Sequence, residues 1–347
     1  MKTFLTLSFI FSFLLSSQAC EIPVFRYALE RWAADKYQLL ISRPASGFTA
    51  EEKEILNKLY SRLPDKEGNL NLSISIQESD APVTSFELRY PSQVKAKAPV
   101  WNGLFNEENT SLLLNSPARI KLQELLLQGQ SVIWIAIDPN EKILNDLEKY
   151  SALFSDKYKL SEEIIQMDEK DKIDSITTKK ELDNVIRSTI PLKISFSILK
   201  INRNDPQEEL FLNMLLAQWP GLRYTDKALV IPVFGRGRFL EAAPAEFLNE
   251  QSYKKLTDYL CSGCSCTVKS ENPGIDLLMD VPWSQYISES VLKIKAIPSL
   301  SGISADLKEG KNETPVPEAK EKSSGIYQYL LILIGSGLLI LYLFKKK

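Results

Sequence analysis

The sequence predicts an α/β protein of two tandem units, each a βαβ element closed by a hairpin and a helix, followed by one C-terminal transmembrane helix. Three observations predict it. Residues 132–137 are apolar at every position, the mark of a strand buried on both faces. A strand running into an Asp-Pro helix start occurs twice, at Asp138-Pro139-Asn140-Glu141 and at Asp205-Pro206-Gln207-Glu208, with Asp138 and Asp205 as the expected N-caps. Residues 326–344 carry no charge over 19 positions. As a helix they would reach about 28 Å, close to the hydrocarbon thickness of a bilayer.

The chain opens on an export signal over residues 1–19. Lys2 is its positive n-region, residues 4–15 are apolar but short for a span, and Ser17-Gln18-Ala19 sets small residues before a cleavage point at Cys20. The same run permits a lipobox reading with Cys20 lipidated, although Ser17 stands where a branched residue is usual. The first α/β unit covers 20–154. In it Val24, Phe25, Ala28, Leu29 and Trp32 recur at helical spacing, with Arg26 and Glu30 an i,i+4 pair on the other side. Residues 37–42 read as a buried strand, and Thr49-Ala50-Glu51-Glu52 as a capping box opening the next helix. Residues 70–76 and 86–90 alternate apolar with polar, so each is a strand with one wet face. Ser116-Pro117 starts a helix that Gly129 stops, and 132–137 follows as a central, parallel strand.

Residues 155–190 are rich in charge and read as a helical connector, in which 168–174 form a solvated face. The second α/β unit covers 191–298: strand 194–201, the Asp205 helix start, strand 228–234, a glycine turn and a helix over 250–260. Residues 299–325 hold glycine, proline, lysine and glutamate with few large apolar groups, a composition that reads as a disordered linker. The transmembrane helix at 326–344 has Tyr327, Tyr329 and Tyr342 near its ends, and Lys345-Lys346-Lys347 then form a short cytoplasmic tail by the positive-inside rule. The expected location is the cell membrane, single-pass, with the folded part extracytoplasmic, periplasmic or exterior.

Composition narrows the chemistry. Lys and Arg number 42 against 44 Asp and Glu, which speaks against a nucleic-acid partner. The sequence has no histidine, which removes Ser-His and Cys-His nucleophiles and His-ligated zinc. Carboxylates cluster at Asp205, Glu208 and Glu209 and at Asp276 and Asp280, but in no glycosidase or metal-loop spacing. No cofactor and no metal centre is expected.

Residues 228–234, the turn Gly235-Arg236-Gly237-Arg238 and Phe239-Leu240-Glu241 resemble the closing hairpin of a thioredoxin-like domain, where a strand begins near a cis-proline and a helix follows the hairpin. The resemblance implies a fold of two thioredoxin-like units. It also implies a place for a Cys-x-x-Cys centre just after a central strand. Here Asp138-Pro139-Asn140-Glu141 and Asn204-Asp205-Pro206-Gln207 stand at the corresponding places, and neither contains sulfur. The whole chain is similar to exported, membrane-anchored proteins of planctomycete-like bacteria, through residues 22–32, the 234–238 segment and Cys264-Ser265-Cys266. That similarity implies no particular activity.

The remaining candidate sites are thiols and arginines. Cys261, Cys264 and Cys266 lie at the end of a helix, and Cys20 begins the mature chain. An exported chain permits disulfides, with Cys261–Cys264 or Cys261–Cys266 as a local pair and Cys20 tied to the third thiol. An exchange-competent dithiol and a soft-metal site are the alternatives. Gly235, Arg236, Gly237 and Arg238 make a possible anion-binding turn, or a solvated hairpin tip with arginine paired to Glu241 or Glu246. Arg203-Asn204-Asp205 reads as a local pair around a helix cap, and Trp101 as a core residue. The expected function is a membrane-tethered, non-catalytic binding or accessory role with an envelope protein partner. The alternative is a thiol-disulfide protein using Cys261, Cys264 and Cys266.

Overall fold

A computed structural model of the chain describes residues 20–64, 69–96 and 98–288. The expected export signal, linker, membrane span and tail lie outside the described residues. Among the described residues no helix is long and apolar enough to cross a membrane.

The protein is α/β, with two mixed sheets of four and six strands. The chain enters through α1 (Val24–Arg31), then β1 (Tyr37–Pro44) and α2 (Ala50–Ser61). The Thr49 hydroxyl accepts the Glu52 amide and the Glu52 carboxylate accepts the Thr49 amide, closing the predicted capping box. β2 (Leu72–Ser79), β3 (Ser85–Arg89) and β4 (Trp101–Leu104) complete the first sheet in the order β2-β1-β3-β4. β1 runs parallel to β2 and antiparallel to β3, and β3 antiparallel to β4.

Two helices, α3 (Glu107–Leu114) and α4 (Pro117–Leu127), lead to β5 (Val132–Ile137) and α5 (Glu141–Lys157). After α6 (Lys170–Asp174) and α7 (Lys179–Asp183) comes β6 (Phe196–Ile201). A 3₁₀ turn at Pro206–Glu208, α8 (Glu209–Leu216) and α9 (Pro220–Arg223) precede the hairpin of β7 (Leu229–Phe234) and β8 (Arg238–Phe239). The short β9 (Ala243–Pro244), α10 (Glu250–Cys261), α11 (Cys266–Glu271), β10 (Ile275–Asp276) and α12 (Trp283–Tyr286) follow. The second sheet has the order β10-β8-β7-β5-β6, with β9 added to β7.

Alternation along the strands builds the core. In β5, Ile133, Ile135 and Ile137 join one apolar cluster, and Val132, Trp134 and Ala136 join another. The first cluster also takes Tyr37, Leu39 and Ile41 of β1, so it fills the space between one face of each sheet together with α4 and α8. The second packs α1, α5 and α10 on the opposite face of β5 and β7, with the Trp134 and Tyr253 ring centroids 4.5 Å apart.

Several expectations are corrected. The strands read as belonging to two separate units, β5 and β6, are parallel neighbours in one sheet, paired from Val132↔Phe196 to Ile137↔Ile201. Strand pairing is a long-range choice that no local pattern encodes. β5 is central as expected, but parallel only to β6; β7 lies antiparallel on its other side. α5 is capped by Asn140, whose side chain accepts the Ile143 amide, and not by Asp138. Asp138 sits at φ 49°, and its carboxylate accepts from Arg203 instead. Arg203 therefore pairs across to the β5 turn and not around its own helix cap, while Asp205 caps the 3₁₀ turn by accepting the Gln207 amide. In the charged connector the helices among the described residues are the end of α5, to Lys157, and then α6 and α7, five residues each. Arg26 and Glu30 do pair, Nε to Oε1 at 2.6 Å, but both are buried.

Candidate functional site

In the second sheet the carboxyl end of β5 meets the amino end of α5, and crevices at carboxyl ends of strands are where α/β sheets bind ligands. A cavity of about 340 Å³ opens there. Asn140, Ile143 and Asp146 line it from α5, Lys227 and Ala228 from the approach to β7, and Glu246 and Leu248 from the turn before α10. Lys227 Nζ donates to Glu246 Oε1 at 2.6 Å across its rim. Phe247, between the lining residues Glu246 and Leu248 in the chain, is 63 % exposed. The Asp138–Arg203 pair holds the turn beneath it, since Arg203 also donates to the carbonyls of Leu222, Arg223 and Lys227. The cavity is thus a mixed apolar and charged recess with no thiol in its lining. A larger depression of about 470 Å³ runs along 162–184, where Lys172 pairs with Glu169 and Lys180 with Glu163.

The arginine turn is differently built from either expectation. Arg236 donates to the carbonyls of Leu29 and Glu30, capping the carboxyl end of α1. Arg238 is 2 % exposed. Its guanidinium donates to Asp276 at 2.6 Å, to Asp35 at 3.2 Å and to the carbonyls of Asn272 and Gly274, and it lies over the Trp32 ring. Its partners are therefore not Glu241 or Glu246. Burial pushes the Asp276 carboxyl up, against the pull of Arg238. Gly237 adopts φ +97°, and a Cβ there would meet Met279 Sδ at 2.3 Å, so the hairpin tip is packed and not solvated. An anion at this turn would compete with contacts that already engage both guanidinium groups.

The four thiols are free in the structure; Cys20, Cys261 and Cys264 are buried and Cys266 is exposed. Burial pushes the Cys261 and Cys264 thiols up to about 12, and raises Cys20 as well. A thiol held neutral in this way is a poor nucleophile at neutral pH. Among the described residues no group of three or more acidic or cysteine side chains is placed to hold a metal ion. Trp101, expected in the core, is half-buried on the edge strand β4, edge-on to Phe86. Sequence reasoning missed the β5–α5 cavity altogether. Its lining comes from positions 140–146 and 227–248, and only the proximity of Asp138 to a strand end pointed that way.

No protein-family model matches the chain, and no curated protein matches it.

Proposed function

We propose that the protein is a membrane-tethered, extracytoplasmic binding protein with no catalytic centre, built on two thioredoxin-like units that lack the dithiol. Both sheets support the fold reading: each has the order second-first-third-fourth, with the first two strands parallel and the last two antiparallel. In the second, α5 follows the first strand, α8 the second and α10 the hairpin, a full complement of helices for that fold. The first unit, redrawn as β1 to β4 of the first sheet, lacks the helix between its second and third strands. The expected cis-proline is not among the described peptide bonds.

The observation that carries the functional reading is the turn from β5 into α5. Where a thioredoxin-like unit would carry reactive sulfur, this chain places Asp138-Pro139-Asn140-Glu141, an ion pair and an open recess. The equivalent turn of the first unit, 45–49, contains no cysteine either. What remains is a recess suited to a peptide or loop of an envelope protein, with Lys227 and Glu246 as polar anchors and Leu248 as apolar floor.

The test is site-specific photo-crosslinking in intact cells. A photoreactive side chain at Phe247 should capture one discrete species, and one at Lys53, on the exposed side of α2, should not. Equal capture from both positions would remove the support for the recess. Reduction of insulin disulfides by the purified protein would overturn the non-catalytic reading and favour the Cys261, Cys264 and Cys266 alternative.

A further inference from the structure

The four thiols are not equivalent, and the backbone around them says which two belong together. The segment entering α1 lies antiparallel against the turn that follows α10. Pro23 and Gly263 form a bridge, Val24 donates to the Ser262 carbonyl at 3.1 Å, and Cys264 donates to the Ile22 carbonyl at 2.9 Å. Gly263 is required at this seam: a Cβ there would sit 2.7 Å from the Cys20 carbonyl oxygen. The Cys20 backbone therefore rests on the residue next to Cys264. Both side chains are buried at this seam, at 2 % and 0 % exposure.

The electrostatic neighbours agree. Cys20 and Cys264 both feel Lys269 and Arg31, each adds to the rise in the Tyr27 pKa, and Cys20 raises that of Cys264. Cys261, the last residue of α10, has Asp258 as its charged neighbour instead, and acts on Tyr158 and Tyr253. Cys266 is exposed at the start of α11.

We propose that Cys20 and Cys264 form a disulfide that staples the start of the folded chain to the turn after α10, leaving Cys261 as a buried core thiol and Cys266 free. Formation costs the Cys20 Sγ donation to the Asp183 carbonyl, which is 3.2 Å long. Each thiol gives up one proton and one electron, and one S–S bond forms. The oxidant is a disulfide-bearing protein or small molecule, whose own S–S bond is cleaved to two thiols as it takes up both electrons and both protons. The proposal also occupies the only atom through which Cys20 could carry a thioether-linked lipid. In the cell it rests on the extracytoplasmic placement proposed above, because a reducing compartment would not sustain the bond.

The test uses the full chain in detergent. The reduced protein is treated with oxidised glutathione, alkylated, digested without reductant and mapped by tandem mass spectrometry. Wild type, Cys261→Ser and Cys266→Ser should each yield the Cys20 peptide joined to the peptide around Cys264, and Cys264→Ser should lose that linkage. Oxidation should raise the melting temperature of wild type, and Cys20→Ser and Cys264→Ser should each abolish that rise, with the double variant no worse than either. A Cys261–Cys264 linkage with Cys20 alkylated, a Cys20 peptide carrying a lipid mass, or four alkylated thiols after oxidation would each overturn the pairing. If the linkage forms with glutathione but is missing from protein trapped directly from cells, the pairing stands and the extracytoplasmic placement falls.

Discussion

The two sheets share strand order and strand direction and differ in what connects and covers them. In the first sheet, residues 80–84 pass directly from β2 to β3. One face packs, so Tyr37, Leu39 and Ile41 of β1 are buried while Gln38 between them is exposed. In the second sheet a 3₁₀ turn and two helices fill the same connection. Helices cover both faces, and all six residues of β5 are buried. One hydrogen-bonding plan thus makes two demands on sequence: alternation where one face is dry, and an unbroken apolar run where both are. Both sheets open a recess where the first strand gives way to its helix, about 340 Å³ at the β5–α5 turn and about 370 Å³ at the β1–α2 turn. The β5–α5 recess is walled by the approach to β7 and the turn before α10, the β1–α2 recess by residues 82–84 and the end of β4.

The largest effects should come from the paired central strands. In β5, Trp134→Ala should cost about 3–5 kcal/mol and Ile135→Ala about 2–5 kcal/mol, since the two faces are equally dry. In β1, Leu39→Ala should cost about 2–5 kcal/mol and Gln38→Ala no more than about 0.5 kcal/mol. Urea unfolding reads all four, and a Gln38→Ala loss matching that of Leu39→Ala would mean that both sheets are covered alike.

Next is the buried Arg26–Glu30 pair, which ties α1 to 187–190: Glu30 accepts the Arg187 amide, and Arg26 donates to the carbonyls of Ser188 and Ile190. Glu30→Ala should cost about 3–5 kcal/mol by leaving a buried guanidinium without its counter-charge. Adding Arg26→Met should return part of that loss. A double variant as poor as the sum of the singles would show that the two residues act independently.

Alkaline pH should then act on both sheets through different groups. In the reduced protein Cys261 and Cys264, beside the second sheet, keep their protons up to about 12 in the folded state, against an ordinary value of 9.0, and in the oxidised protein Cys261 alone does so. Between those values the unfolded chain holds fewer protons than the folded one, so stability is full below 9 and falls as pH rises towards 12. The limiting slope is about 1.4 kcal/mol per pH unit for each thiol. Burial raises Tyr37 and Tyr90, beside the first sheet, with the same sign but from an ordinary value of 10.0. Melting temperature against pH should therefore begin to fall near 9, and Cys261→Ser should soften that first decline. An unchanged onset in this variant would remove Cys261 from the account.

The smallest effects belong to the helix starts. Thr49→Ala and Asn140→Ala should each cost about 1 kcal/mol. Hydrogen exchange at the Ile143 amide should quicken in Asn140→Ala and not in Asp138→Ala. The opposite pattern would restore Asp138 as the cap of α5.

How far the sequence could be read depended on the range of each interaction. The Thr49 box, the Ser116 cap and the Asp205 cap all join residues within three positions, and all stand in the structure as the pattern implied. Asp138 did not, because a residue across the fold, Arg203, drew its carboxylate away and left the cap to Asn140. The amphipathic reading of α1 placed Arg26 and Glu30 outside, and the packing of 187–190 against that face buried them. The candidate sites were harder still. The partners of Arg238, Asp35 and Asp276, lie about 200 and about 40 positions away, and no spacing rule reaches so far.

By itself, then, the sequence determined the α/β class, the doubly buried β5, most helix starts and the absence of histidine chemistry, because each follows from composition or from contacts within one turn or one strand. Only the tertiary structure decided that β5 pairs with β6, that the arginine turn is sealed by Asp276 and Asp35, that a recess opens at the β5–α5 turn, and that Cys20 lies beside the Cys264 turn. The physical reason is the same in each case. Sheet pairing and burial bring together residues far apart in the chain, and the free energy of those contacts belongs to the fold as a whole and not to any local pattern.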